Sequence, residues 1–206
     1  MQVPKSVEAL ENLGRERLSR SFFMRDFLYS EISNSYGIPN IPENPKLAIA
    51  NGKHLCEELL EPLQKTFGRV AIRSAYRSPT VNALGNEKGH HCGANESNYG
   101  GHIWDHPDKG GNHGAMACIV LPWFADRYAA GADWRGLAYW IHNHLPYSEL
   151  QFFPKLCAFN IGWHEKPKRL ISSYIDPKGA LLRGEAPNLA FATHYADFPK
   201  LAATPR

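Results

Sequence analysis

Five of the ten histidines of this chain, His90, His91, His102, His106 and His113, fall between residues 90 and 113, with Asp105, Asp108 and Cys118 among or just beyond them. Imidazole, carboxylate and thiolate are the side chains that bind zinc, at about 2.0 to 2.3 Å. A hydrolytic zinc site takes three such ligands from separate segments and leaves one position for water. The stretch that holds most of these donors, GGHIWDHPDKGGNHGAMACIV, carries five glycines and can bend enough to bring them together. It reads either as a metal site or as a polar surface loop.

Each donor has two readings. His102 follows two glycines and opens the short apolar stretch His102 to Trp104, the place for a ligand at the mouth of a sheet or for a solvated loop histidine. Cys118 sits in the apolar run GAMACIV, as a ligand or as a packed core thiol. His164, in GWHE, alternates with its neighbours on an expected strand, as a ligand or as an edge-strand histidine. Asp105 and His113 are further possible donors or polar loop residues. His142 and His144 are two apart on an expected helix and cannot share a face.

Periodicity predicts the elements that must position these groups. Phe23, Phe27 and Ile32, followed by Gly37 and Pro39, predict a helix of about three turns ending before Gly37. Asn44 as cap, Pro45 at the first position and Leu55, Leu59, Leu63 and Phe67 on one face predict a longer helix, kinked at Pro62 and ended by Gly68. RVAIRSAYR reads as a strand, and SPTVNALG as a short helix capped by Ser78. Residues 85 to 113 show no sustained period, and so long a loop inside a domain is usually functional or disordered. GAMACIVLPW reads as a buried strand and DWRGLAYWIHNHLP as an amphipathic helix capped by Asp133. SELQFF, CAFNIGWHE and RLISSYI are three short strands whose closeness predicts an antiparallel meander. From Ala180 onward the Ala- and Pro-rich composition predicts no regular structure.

Length and composition bound the rest. A chain of 206 residues, 43% hydrophobic, is long enough for one domain with a full core. The net charge of +3 and charged fraction of 21% create no field that argues for nucleic acid or a membrane surface, and the basic residues near EKPKR form a single short patch. Four cysteines without a CxxC pair fit neither a disulfide scaffold nor a zinc ribbon. The charged N-terminal stretch is not a signal peptide, and no run approaches ~20 apolar residues, so no membrane span is expected. The expected setting is cytoplasmic, or released or phage-associated without a signal peptide.

The segment RSAYRSPTVN, from Arg73 to Asn82, resembles the D-alanyl-D-alanine carboxypeptidase family of zinc peptidases, which includes phage endolysins that cleave peptidoglycan. Its Ser74, Ala75, Tyr76, Arg77 and Ser78, then Asn82, are similar to that family's Ser-Gly-Tyr-Arg-Ser strand end and following Asn. RDFLYSE, GIPNIPENP and the long helix before the strand extend the likeness over about residues 22 to 175. The resemblance implies an α+β single domain, N-terminal helices packed on a small, mainly antiparallel sheet of the Hedgehog/D-Ala-D-Ala peptidase kind. It places that domain at 21–178, between an N-terminal extension at 1–20 and a C-terminal tail at 179–206.

The same resemblance implies Zn2+, with His102 as first ligand and His164, after Trp163, as last. Cys118 stands where the family has Asp, and Asp105 is the other possible carboxylate donor. Arg77 corresponds to the family arginine that faces the active site. The family's general base lies three or four residues before the last His, where this chain has Asn160 and Ile161, and an amide cannot take that proton. Glu149 or Glu165 would have to substitute. The implied function is zinc-dependent hydrolysis of a peptidoglycan stem or other short peptide. The alternative is a catalytically inactive binding or phage-particle structural domain that retains the fold.

Overall fold

Helix α1 (Val7–Arg15) starts at Ser6, whose hydroxyl accepts the Ala9 amide at 3.1 Å and satisfies a donor of the first turn. It lies within the expected N-terminal extension. The computed structural model describes residues 2–202, so Met1 and residues 203–206, the outer ends of the expected extension and tail, lie outside the described residues.

The helix expected after Phe23 is two pieces, a 3-10 turn at Met24–Phe27 and α2 (Glu31–Tyr36). Ser30 separates them because it takes an extended backbone to cap α2 through the Ser33 amide. The long helix is present as α3 (Pro45–Leu55), one π-helical stretch (Cys56–Leu60) and α4 (Glu61–Phe67). Pro62 has no N–H to donate, and the widened turn before it lets the helix continue to Gly68.

Strand β1 (Ala71–Ser74) leads to α5 (Pro79–Glu87), capped by Ser78, and to the short α6 (Asn95–Asn98). After β2 (Gly114–Val120) the chain turns at Pro122 into α7 (Pro122–Ala129), where the sequence pattern predicts continued strand. Proline is preorganised for a first helical position and cannot donate to a sheet ladder, which accounts for the change. Then come α8 (Trp134–His144), β3 (Glu149–Phe152), β4 (Phe159–His164), β5 (Leu170–Ser173) and β6 (Gly179–Arg183).

The fold is α+β, with six strands in the order β1-β2-β4-β3-β5-β6. All pairs are antiparallel except β3 with β5, which is parallel. The expected meander is therefore corrected: β2 occupies the second edge of β4, so the chain leaving β4 crosses to the far side of β3. The segment after Ala180 is also ordered. It forms β6 and a 3-10 helix at Leu189–Tyr195, stapled to α8 by Phe191 on Tyr139 and by the Trp140 indole donating to the Pro199 carbonyl at 3.1 Å. Its aromatic residues bury area that its Ala and Pro content conceals.

Strand alternation decides which side chains can act. Ala115, Ala117 and Ile119, Leu150 and Phe152, and Phe159 and Ile161 belong to the buried core, together with Leu55, Leu59, Trp104 and Trp140. The intervening residues, at 114, 116, 118, 149, 151, 160, 162, 164 and 172, therefore lie on the opposite face of the sheet. No helix of the described residues is long and apolar enough to cross a membrane.

Candidate functional site

The face of the sheet opposite the core is the floor of a cleft of about 950 Å³. Met116, Cys118, Gln151, Asn160, Gly162 and His164 line it, and the segment from His91 to Asp108 supplies a wall. A site with its floor on strands and its wall on loops is rigid below and variable above. A second cavity of about 570 Å³, reaching Tyr36 and His90, shares Ser74, Arg77 and His91 with the first.

The irregular stretch 85–113 is largely at the surface but is anchored by the buried residues 102–105. Ile103 and Trp104 are wholly buried, and His102 and Asp105 are nearly so. Gly100, at φ +67°, takes the left-handed turn just before His102. The ring of His102 is fixed at Nδ1, which donates to the Ala75 carbonyl at 2.8 Å, while the His102 carbonyl accepts the Arg77 amide at 2.9 Å. Burial, and then the positive charge of Arg77, pushes this imidazole down to about 3, so it is neutral. A neutral ring protonated at Nδ1 leaves Nε2 as an acceptor, and His102 and Asn160 both line the cleft.

His164 has both nitrogens engaged. Its Nδ1 accepts the Lys166 amide at 3.0 Å, and its Nε2 lies 3.3 Å from Asp108 Oδ2. Asp108 itself organises the loop, since Oδ1 accepts the amides of Gly110 and Asn112 at 2.8 and 2.9 Å. The Asn112 amide contributes most to holding its carboxyl below the usual range. Gly114 sits opposite His164 in the β2–β4 register, and a Cβ there would come within 2.2 Å of the Gly100 carbonyl and 2.7 Å of the His164 ring. The glycine is thus a condition for the wall to approach the floor.

Of the six residues expected to form the site, five line the cleft: Arg77, His102, Cys118, Glu149 and His164. Cys118 faces Asn160 across the β2–β4 pair, and burial pushes its thiol up to about 11 against the opposing charges of Arg73 and Arg77. Glu149 is opposite Gly162 and ion-paired with Lys168. Asp105 is held apart from them. Its Oδ2 accepts the amides of Glu43 and Asn44 at 2.7 and 3.1 Å, and its Oδ1 accepts the Tyr76 hydroxyl at 3.1 Å. Glu165 accepts the His113 amide at 2.7 Å and does not line the cleft.

Arg77 donates from Nη1 to Asn82 Oδ1 at 3.2 Å and to Cys92 Sγ at 2.7 Å. Its Nε is buried without a partner, and no Asp or Glu of the described residues forms an ion pair with it. Sequence reasoning passed over Gln151, named Asn160 only as an amide in place of a base, and named Asp108 only within the donor cluster. For the first two, period-2 spacing on their strands was the available signal.

Among the described residues, no three His, Cys, Asp or Glu side chains gather around one point where they could hold a metal ion. His102 and His164 are zinc donors by type, but a third donor is not assembled with them. Cys118 is a protonated thiol, and both oxygens of Asp105 are already hydrogen-bonded. Fold and cleft together define an α+β protein with an open groove of mixed polar and apolar lining on one face of its sheet. In comparisons with known proteins the chain matches no family model, no curated protein and no solved structure.

Proposed function

We propose that the cleft binds a short peptide by its carboxylate end, a peptidoglycan stem peptide or similar fragment, in a peptidase-like domain that holds its ligand without hydrolysing it. The observation that carries this reading is Arg77, a cation at the cleft wall with a buried, unpartnered Nε and no acidic neighbour in ion-pair contact. A guanidinium without an acidic partner lacks a countercharge, which a ligand carboxylate in the cleft would supply. Retention without hydrolysis follows from Asn160. It stands where the resembled family has its carboxylate, cannot take a proton from water, and donates to Gln151 Oε1 at 3.2 Å instead. A cell-wall ligand suits a protein released at lysis or carried on a phage particle.

Zinc-dependent hydrolysis of the same peptide is the second reading, favoured by Glu149 on the cleft face opposite Gly162, two residues before His164. In that reading His102 and His164 would hold zinc with Cys118 or Asp108 drawn in beside them. A bound zinc ion polarises a carbonyl and lowers the pKa of its water.

One experiment separates them. A D-Ala-D-Ala-terminated stem pentapeptide and its C-terminal amide are titrated into the wild type and Arg77→Ala, with metal content and peptide mass measured on the same samples. The binding reading expects the free acid to bind intact and Arg77→Ala to weaken it by roughly 10- to 100-fold. Cleavage by a protein with stoichiometric zinc, abolished in Glu149→Gln, would establish the second reading. Equal binding of acid and amide removes both.

A further inference from the structure

We infer that the end of the cleft remote from His102 is a glycan subsite, which seats a pyranose ring of a neutral, N-acetylated sugar chain on the paired rings of Phe153 and Tyr174. The inference rests on the cleft being the binding site and names a further part of its ligand.

The two rings are set by the one parallel strand pair of the sheet. Phe153 follows β3 and Tyr174 follows β5, and the Tyr174 amide donates to the Phe152 carbonyl at 2.9 Å, locking the strand ends together. The rings lie nearly parallel, with centroids 5.5 Å apart and an interplanar angle of 18°. Tyr174 is nonetheless 56% exposed, and its hydroxyl has no hydrogen-bond partner among the described residues. Both rings line the cleft, and rings stacked in this way leave the face of the more exposed one, Tyr174, as an apolar ledge at its end.

Beside that ledge the polar groups are neutral. Ser172, Gln151 and Asn160 continue the floor toward His102, and the Asn160 amide donates to Gln151 Oε1 at 3.2 Å, which leaves the Gln151 amide hydrogens for a ligand. Lys168 and Glu149, paired with each other, lie at the opposite end of β3, beside Gly162 and Leu170. With Arg77, His91, His102, Asp108, Cys118 and His164 they give the rest of the lining its charged and titratable groups, so the cleft divides into a charged half and a neutral one.

A neutral half with a flat aromatic ledge, amides and a hydroxyl fits a sugar. Pyranose C–H groups carry slight positive charge and pack on the negative face of an aromatic ring, while hydroxyls and acetamido groups pair with amides. An apolar side chain seated there would leave the Gln151 amide hydrogens without partners on burial, at a cost that a sugar does not incur. A phosphate or carboxylate would instead go to Arg77.

The test is a calorimetric titration with the N-acetylglucosamine trimer. The wild type should bind it, Tyr174→Phe should retain binding, and Tyr174→Ala should lose about tenfold or more in affinity, the size expected of a lost stacking contact. Tyr29→Ala, an exposed tyrosine outside the cleft, should bind like the wild type. No binding by the wild type, or equal binding by Tyr174→Ala, overturns the inference. If the trimer binds and the stem pentapeptide does not, the proposed function falls and the glycan subsite stands. The converse result removes the subsite alone.

Discussion

The Nδ1 of His102 lies 2.8 Å from the carbonyl oxygen of Ala75, just past the end of β1. This bond ties the cleft wall to the sheet, and the ring stays neutral because burial and Arg77 oppose a second proton more than the Ala75 bond favours it. The folded imidazole titrates near 3 and an unfolded one near 6.5, so the unfolded chain binds more protons between those values. Stability from this group is complete above about pH 6.5 and falls as the pH drops toward 3. Denaturant melts across that window should show the wild type losing on the order of a few kcal/mol more than His102→Gln. Parallel curves for the two proteins would exclude a buried neutral His102.

Asp105 should behave as a structural residue. Replacing it by Ala strands the amides of Glu43 and Asn44 and the Tyr76 hydroxyl in a buried setting, and should cost about 2 to 4 kcal/mol by chemical unfolding. The effect should be independent of added zinc. A loss of stability seen only in the presence of zinc would make Asp105 a metal ligand instead.

Gly114→Ala should be among the most damaging single-methyl changes in the protein. The added Cβ meets backbone, the Gly100 and Trp163 carbonyls, and the His164 ring, so nothing flexible can give way alone. A cost of about 2 kcal/mol or more is expected, read as a fall in Tm. Gly111→Ala, with open space around it but a φ of +76°, should cost about 1 kcal/mol.

Cys118 should resist alkylation. A thiol pushed up to about 11 holds little thiolate at pH 8, so peptide mapping after iodoacetamide should find it labelled far more slowly than a free cysteine standard. Rapid labelling at Cys118 would mean that the cleft activates it.

Much of the frame was legible in local patterns. Asn44 with Pro45, Ser78 with Pro79 and Asp133 each cap the helix expected of them, because a cap is a contact within a few residues. The parallel β3–β5 pair was not legible, since it depends on β2 holding the other edge of β4, a relation set more than 30 residues away. The opening cluster of donors divided in the same way. His102 and Cys118 reached the cleft, as their strand and turn contexts suggested, whereas Asp105 turned to the chain just before α3, where two amides and a phenol awaited it. The order after Ala180 was missed because Phe191, Tyr195 and Phe198 have no periodicity of their own and match the surface of α7 and α8.

The placement of the cleft, with its floor on strands and its wall on the 91–108 segment, has an evolutionary consequence. Substitutions at the wall's outer, cleft-lining positions such as His91, Ser97 and Asn98 can alter which ligand is admitted while the core on the far side of the sheet keeps its packing, so selectivity can change without loss of the fold.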